Sequence, residues 1–278
     1  MRALAICLLF LLGRASLCAA PPLIGVDLKL LSEVRTIKAG QPFTVGLHIH
    51  HHEGFHTYWQ NPGIVGVPTG LTWTLPEGFT AGPIQWPSPE IVDMAGHPAH
   101  GYHRDVLLLV EITPPATVTS KNLVLRADAH WMACAKTCHP GNTSLSLPLS
   151  VGPQVAPDPT TQTTFAETRQ GHPLPLPDWT VTLRSAPDAP RVLLHLAPKK
   201  ERSPPLRKLY FFSSDGQISS DQAQSLTTLK DGTSLLTLTR NKFGPTGAQS
   251  LPGLLRFHSP DAATPTLEGT INPAYLTE

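Results

Sequence analysis

Short apolar segments, many of them alternating, recur about every ten residues between proline and glycine breaks. With 30 prolines and 21 glycines in 278 residues, long helices have little room, because proline removes a backbone donor and clashes inside a helix. In PFTVGLHIHHH, residues Phe43, Val45, Leu47 and Ile49 share one face, the period expected of a half-buried strand. VDLKLLSEV, GLTWTLP, DVLLLVEIT, NLVLRADAHW and TSLSLPLSV repeat the theme.

The spacing predicts an all-β chain of two immunoglobulin-like antiparallel β-sandwich domains in tandem. The first is expected over residues 22–152 and the second over 178–278, where WTVTLRS, RVLLHLA, KLYFFSS, TSLLTLTR, GLLRFHS and LEGTI follow. Between them, residues 153–177 read as a linker in which FAETRQ adds one helical turn. The second half holds no cysteine and one tryptophan, and reads as a structural or docking domain. The two halves share a class but no visible repeat.

The N-terminus predicts export. Arg2, a short apolar run over Ala3–Gly13 and small residues at Ala19 and Ala20 read as a signal peptide over residues 1–20. Leu17 is bulky where lipoprotein processing at Cys18 wants a small residue. No later segment approaches about 18 apolar residues, so no stable membrane insertion is expected of the mature chain. Loss of Arg2 and Arg14 leaves 19 basic against 20 acidic residues. Such a balance gives no electrostatic footprint for nucleic acid.

Beyond the signal segment only Cys134 and Cys138 remain, in HWMACAKTCHPG. They sit where two strands meet through a short loop. Fully extended, the pair would lie about 13 Å apart, beyond disulfide reach, so a turn must fold them together. So short a loop removes little chain entropy, and an exposed disulfide of this kind is easily reduced. Lys136 between them favours a thiolate, and His139 directly after Cys138 is a second tuning candidate.

Copper and zinc also use paired cysteines. A binuclear copper centre would want a histidine and a methionine where Asn142 and Leu145 stand, and no methionine follows Met132 as a blue-copper site requires. A copper chaperone of thioredoxin fold would carry the second cysteine on a helix, whereas Pro140-Gly141-Asn142 and an alternating strand follow here. A zinc site would need two further ligands. The residues alone leave staple, metal ligand and redox couple open.

Thirteen histidines bunch around His48–His56 and His97–His103. His48, His50 and His52 share the strand face opposite the apolar one. That face is either solvated or a weak copper or zinc site.

EGFHTYWQNPGIVGVPTGLTWTLPEGFTAGPIQWPSPE, GYHRDVLLLVEI and HWMACAKTCHPGNTSLSLPL resemble the N-terminal periplasmic domain of the DsbD/ScsB thiol–disulfide interchange proteins. LRKLYFFSSDGQI and SLLTLTR are similar to the second β-domain of the longer ScsB-like members. The resemblance implies a periplasmic sandwich with one redox-active pair, Cys134 and Cys138, and no metal or organic cofactor. It implies that Cys138 attacks and Cys134 resolves. It also implies a cap loop over about Ile91–Tyr102, with Asp93, Met94, His97 and Tyr102 as cap residues. His139 stands where an apolar residue is usual in that family.

The chain reaches Glu278 with no membrane electron channel and no thioredoxin domain. The expectation is therefore a membrane electron donor of the DsbD/ScsB type acting in trans. The expected acceptors are thioredoxin-fold periplasmic proteins. Two alternatives accompany this one: a copper-binding or copper-tolerance module using the histidine clusters, with or without the cysteines, and a non-catalytic interaction domain with a structural disulfide.

Overall fold

The computed structural model describes residues 23–176, 178–199, 208–258 and 267–275. The signal peptide expected over residues 1–20 lies outside the described residues. The first half runs through β1 (Val26–Ser32), β2 (Val34–Ile37), β3 (Phe43–His51), β4 (Thr57–Tyr58), β5 (Gly70–Thr74) and β6 (Thr80–Ala81). It continues with β7 (Glu90–Met94), β8 (His97–Tyr102), β9 (Val106–Thr113), β10 (Asn122–Cys134), β11 (Cys138–Val151) and β12 (Ala156–Pro157). Helix α1 (Gln162–Gln170) and β13 (Leu174–Pro175) follow. The second half comprises β14 (Trp179–Leu183), β15 (Arg191–Pro198), β16 (Lys208–Ser213), β17 (Ser225–Thr228), β18 (Ser234–Thr239), β19 (Gly253–His258) and β20 (Leu267–Ile271).

Each half is a two-sheet sandwich. In the first, β1-β3-β9-β6 faces β12-β2-β11-β10-β5; in the second, β13-β20-β19-β16 faces β14-β15-β18-β17. Pairing is antiparallel except where β2 meets β11 and β13 meets β20. The alternation read from sequence decides what is buried. Along β10, Leu123, Leu125, Ala127, Ala129, Trp131 and Ala133 turn inward while their neighbours face outward.

β9 departs from alternation, with Leu107 and Leu109 buried as well as Leu108 and Val110. Leu107 and Leu109 pack on Phe165 of α1, which covers the outer face of this strand. The expected linker is thus anchored to the first sandwich, through Phe165 of α1 and the buried Thr161, whose hydroxyl donates to the Ser32 carbonyl at 2.7 Å. Its nine-residue helix exceeds the single turn expected from FAETRQ. Glu33 and Arg169 join the helix to the first sandwich as an ion pair.

β16 and β19 bury both faces. Leu209, Phe211, Leu255 and Phe257 fill the second sandwich. Phe212 and Leu254, on the opposite faces, enter a core cluster of the first sandwich with Trp59, Tyr102 and Trp131. The near-continuous apolar runs KLYFF and GLLRF are what double burial demands.

A third sheet, β4-β8-β7, lies over one end of the first sandwich. Gly101 of β8 allows this close approach. A Cβ there would stand 2.1 Å from the Thr57 carbonyl oxygen, on backbone that cannot yield cheaply.

Candidate functional site

β10 and β11 form a long hairpin whose register ends at the pair Cys134↔Cys138. The loop of Ala135, Lys136 and Thr137 is closed by the Ala135 N–H donating to the Thr137 carbonyl at 3.0 Å. This turn brings the two Cα atoms to 4.1 Å, and the cysteines are joined as a disulfide.

The two sulfurs stand in unequal surroundings. Cys134 is fully buried, whereas Cys138 is half-buried at the hairpin tip. Cys134 is also pinned through its backbone. The His56 N–H donates to the Cys134 carbonyl at 2.9 Å, and the Cys134 N–H donates to the His56 carbonyl at 3.0 Å. His56 Nε2 in turn lies 3.3 Å from the Tyr58 hydroxyl. Burial holds the His56 imidazole below its ordinary value, partly offset by the Asp93 carboxylate. Burial likewise pushes the Tyr58 phenol up.

The cap is the β7–β8 hairpin. Its two-residue turn, Ala95-Gly96, has φ of 51° and 86°, both left-handed, as a tight hairpin of this type requires. One face of the hairpin closes on the disulfide. Val92, Ala99 and Met94 cluster with Tyr58, Val65, Met132, Cys134 and Cys138. Met94 Sδ lies 3.5 Å from Cys138 Sγ. The other face meets the second sandwich: His100 Nε2 is 3.0 Å from the Tyr210 hydroxyl, and the Ser220 hydroxyl donates to the Pro98 carbonyl at 3.1 Å.

The remaining residues singled out from sequence fall in different places. Asp93 is exposed and accepts from the Gly96 N–H at 3.3 Å, closing the cap turn. His97 is exposed opposite Met94. Tyr102 is buried in the main core, and its hydroxyl donates to the Pro87 carbonyl at 2.7 Å. Lys136 is exposed on the loop. His139 Nε2 lies 2.9 Å from the Thr137 hydroxyl.

His48 and His50 both approach Asp105, at 3.5 and 2.8 Å, while His52 reaches Asp27 at 3.2 Å. Among the described residues no three His, Cys, Asp or Glu side chains gather to hold a metal ion. His56, Tyr58, Val92 and Met132 line the cysteines but were not marked as site residues by the sequence. HTYW carried the signal for the first two, as a motif of resemblance rather than of position.

The fold and site define a class: tandem β-sandwiches in which the first carries a hairpin-tip disulfide beneath a cap. Residues 29–150 match the family model described as thiol:disulfide interchange protein DsbD, N-terminal. The N-terminal periplasmic domain of ScsB from Proteus mirabilis shares the fold at a TM-score of 0.64 and 17% identity, over 92% of this chain and 96% of that one. Spo0M, a sporulation control protein from Bacillus subtilis, covers 89% of this chain and 90% of its own at 5% identity. Its TM-score of 0.23 is too low for a shared fold. No curated protein sequence matches the chain.

Proposed function

We propose that this protein is a periplasmic thiol–disulfide carrier working through Cys134 and Cys138. The observation that carries this reading is the asymmetric disulfide. One sulfur is buried and held by backbone pairing; the other is half-buried beneath the Met94 thioether, beside an exposed turn. An inert staple has no need of a cap.

In the reduced state the Cys138 thiolate attacks one sulfur of a partner disulfide. The partner's second sulfur leaves as a thiolate and takes a proton. A mixed disulfide then joins Cys138 to the partner. The Cys134 thiolate attacks Cys138 Sγ, the partner departs as a dithiol, and the Cys134–Cys138 bond re-forms. The partner gains two electrons and two protons, and this chain loses them. A dithiol donor resets the cycle by the reverse exchange.

The match of residues 29–150 to the family model supports a membrane donor of the DsbD/ScsB type and thioredoxin-fold acceptors. No described helix is long and apolar enough to cross a membrane. Tyr58 and His56 back the buried cysteine, and Met94 shields the exposed one until a partner displaces the cap.

Trapping tests the order of attack. Cys134→Ser should accumulate a mixed disulfide through Cys138, seen as a mass shift that a reductant reverses. Cys138→Ser should accumulate none. Equal trapping by both variants would overturn the assigned order. Failure of the oxidised protein to be reduced by any thioredoxin-fold dithiol would overturn the carrier reading itself.

A further inference from the structure

Every sulfur atom of the described residues converges on one spot. Beyond residue 22 the chain has two cysteines and two methionines, namely Cys134, Cys138, Met94 and Met132. All four belong to the cluster beneath the cap. They reach it from three strands. Cys134 and Met132 share a face of β10, Cys138 opens β11, and Met94 closes β7 on the cap hairpin.

Leucine or phenylalanine would wall such a cluster as well as methionine does, with no loss of apolar burial. Thioether sulfur adds a soft electron-pair donor, and Met94 holds it 3.5 Å from Cys138 Sγ. Of the neighbouring imidazoles, His56 Nε2 faces the Tyr58 hydroxyl and His139 Nε2 faces the Thr137 hydroxyl. The further donor shown against the pair itself is the Met94 sulfur. Thiolates bind both zinc and monovalent copper, but protein zinc sites take four ligands from Cys, His and carboxylate, whereas a thioether beside two thiolates suits monovalent copper.

We propose that the reduced protein binds one monovalent copper ion through Cys134, Cys138 and Met94. These ligands are distinct from the histidine face of β3. Binding rests on the reading that the cysteine pair can be reduced. A dithiol gives the disulfide two electrons and its own two protons and becomes a disulfide, or a phosphine gives two electrons, water gives two protons and its oxygen, and phosphine oxide leaves; either way two thiols form. Copper then enters as the monovalent ion and displaces thiol protons to solvent, so no electron moves in the binding step. Bound copper and the Cys134–Cys138 bond exclude each other, and the loaded protein cannot exchange thiols. Met132 lines the site without coordinating.

The test is an anaerobic titration of phosphine-reduced protein with monovalent copper against a chromophoric chelator. The reduced wild type should withdraw one equivalent, and the oxidised wild type none. Met94→Leu should weaken binding by at least about tenfold. Met132→Leu should leave it unchanged. Thermal melting establishes that both variants fold, since a leucine-for-methionine exchange is nearly volume-conserving. X-ray absorption of the loaded protein should show a shell of sulfur alone.

No uptake by the reduced wild type overturns the site. So does unchanged affinity in Met94→Leu, or nitrogen in the shell. Because phosphine reduces the pair chemically, the two readings fail separately. Copper uptake without exchange with thioredoxin-fold partners would disprove the carrier and leave the site standing. Exchange without copper uptake would do the reverse.

Discussion

The two sandwiches are built from the same kind of strand but divide their apolar residues differently. The second gathers its buried side chains into one continuous cluster, with Trp179 stacked on Phe257 at 5.8 Å. The first splits its interior. Two clusters fill the space between its sheets, a third lies under α1, and a fourth, holding the cysteines, sits at one end beneath the cap. Partition suits the proposed function, in which the covalent bond of that site opens and closes. A change in the small cluster need not propagate into the interior, where even one methylene is felt.

The largest expected effects separate the domains by kind. Replacing both cysteines with serine should abolish exchange with a thioredoxin-fold partner. It should cost only about 2 kcal/mol of stability, as expected of so short a closed loop. Leu236→Ala in the second core should do the opposite. That side chain is fully buried, so truncation should cost about 2–5 kcal/mol in a denaturant titration. The exchange rate of the folded fraction should stay the same.

Phe212→Ala probes the boundary between the two sandwiches. The ring lies 4.8 Å from His100 and 6.2 Å from Trp59, and it is fully buried. A loss of about 3–5 kcal/mol should appear in the unfolding of both domains. A shift confined to one of two transitions would show that the domains melt independently.

Acid should act on the first sandwich before the second. Burial holds His51 and His100 down at about 4, against an ordinary 6.5. In that window the unfolded chain binds protons that the folded chain refuses. Stability should therefore fall as pH drops from about 6.5 towards 4 and stop responding to these groups below that. His100→Phe should flatten part of the slope in a pH series of melting curves.

The smallest expected effect is at the cap turn. Ala95 sits at φ 51°, where a Cβ is unfavourable by about 1 kcal/mol. Ala95→Asn should relieve some of this and slow reduction of the disulfide by a small phosphine modestly. Gly101→Ala, by forcing β8 away from β4, should speed it.

What the sequence disclosed follows from the range over which each signal acts. Alternation in PFTVGLHIHHH and NLVLRADAHW is local, and both segments form strands with the expected faces inward. The Cys-x-x-x-Cys spacing is equally local, and the hairpin closes it into a disulfide. Leu107 and Leu109 already appear in DVLLLVEIT, but nothing near them points to Phe165, more than fifty residues away. Met94 was read as a cap residue by resemblance. Its contact with Cys138 depends on the fold of a second hairpin and has no signature in spacing. Tyr102, taken from the same stretch, faces the main core because β8 alternates.

The two hydrogen bonds between His56 and Cys134 have a mechanical consequence. When the S–S bond opens, one jaw of the site stays bolted to the frame. On the proposed mechanism the Cys138 side supplies the travel. An incoming protein would then meet a vice with one fixed and one sliding jaw, and be gripped in a single orientation.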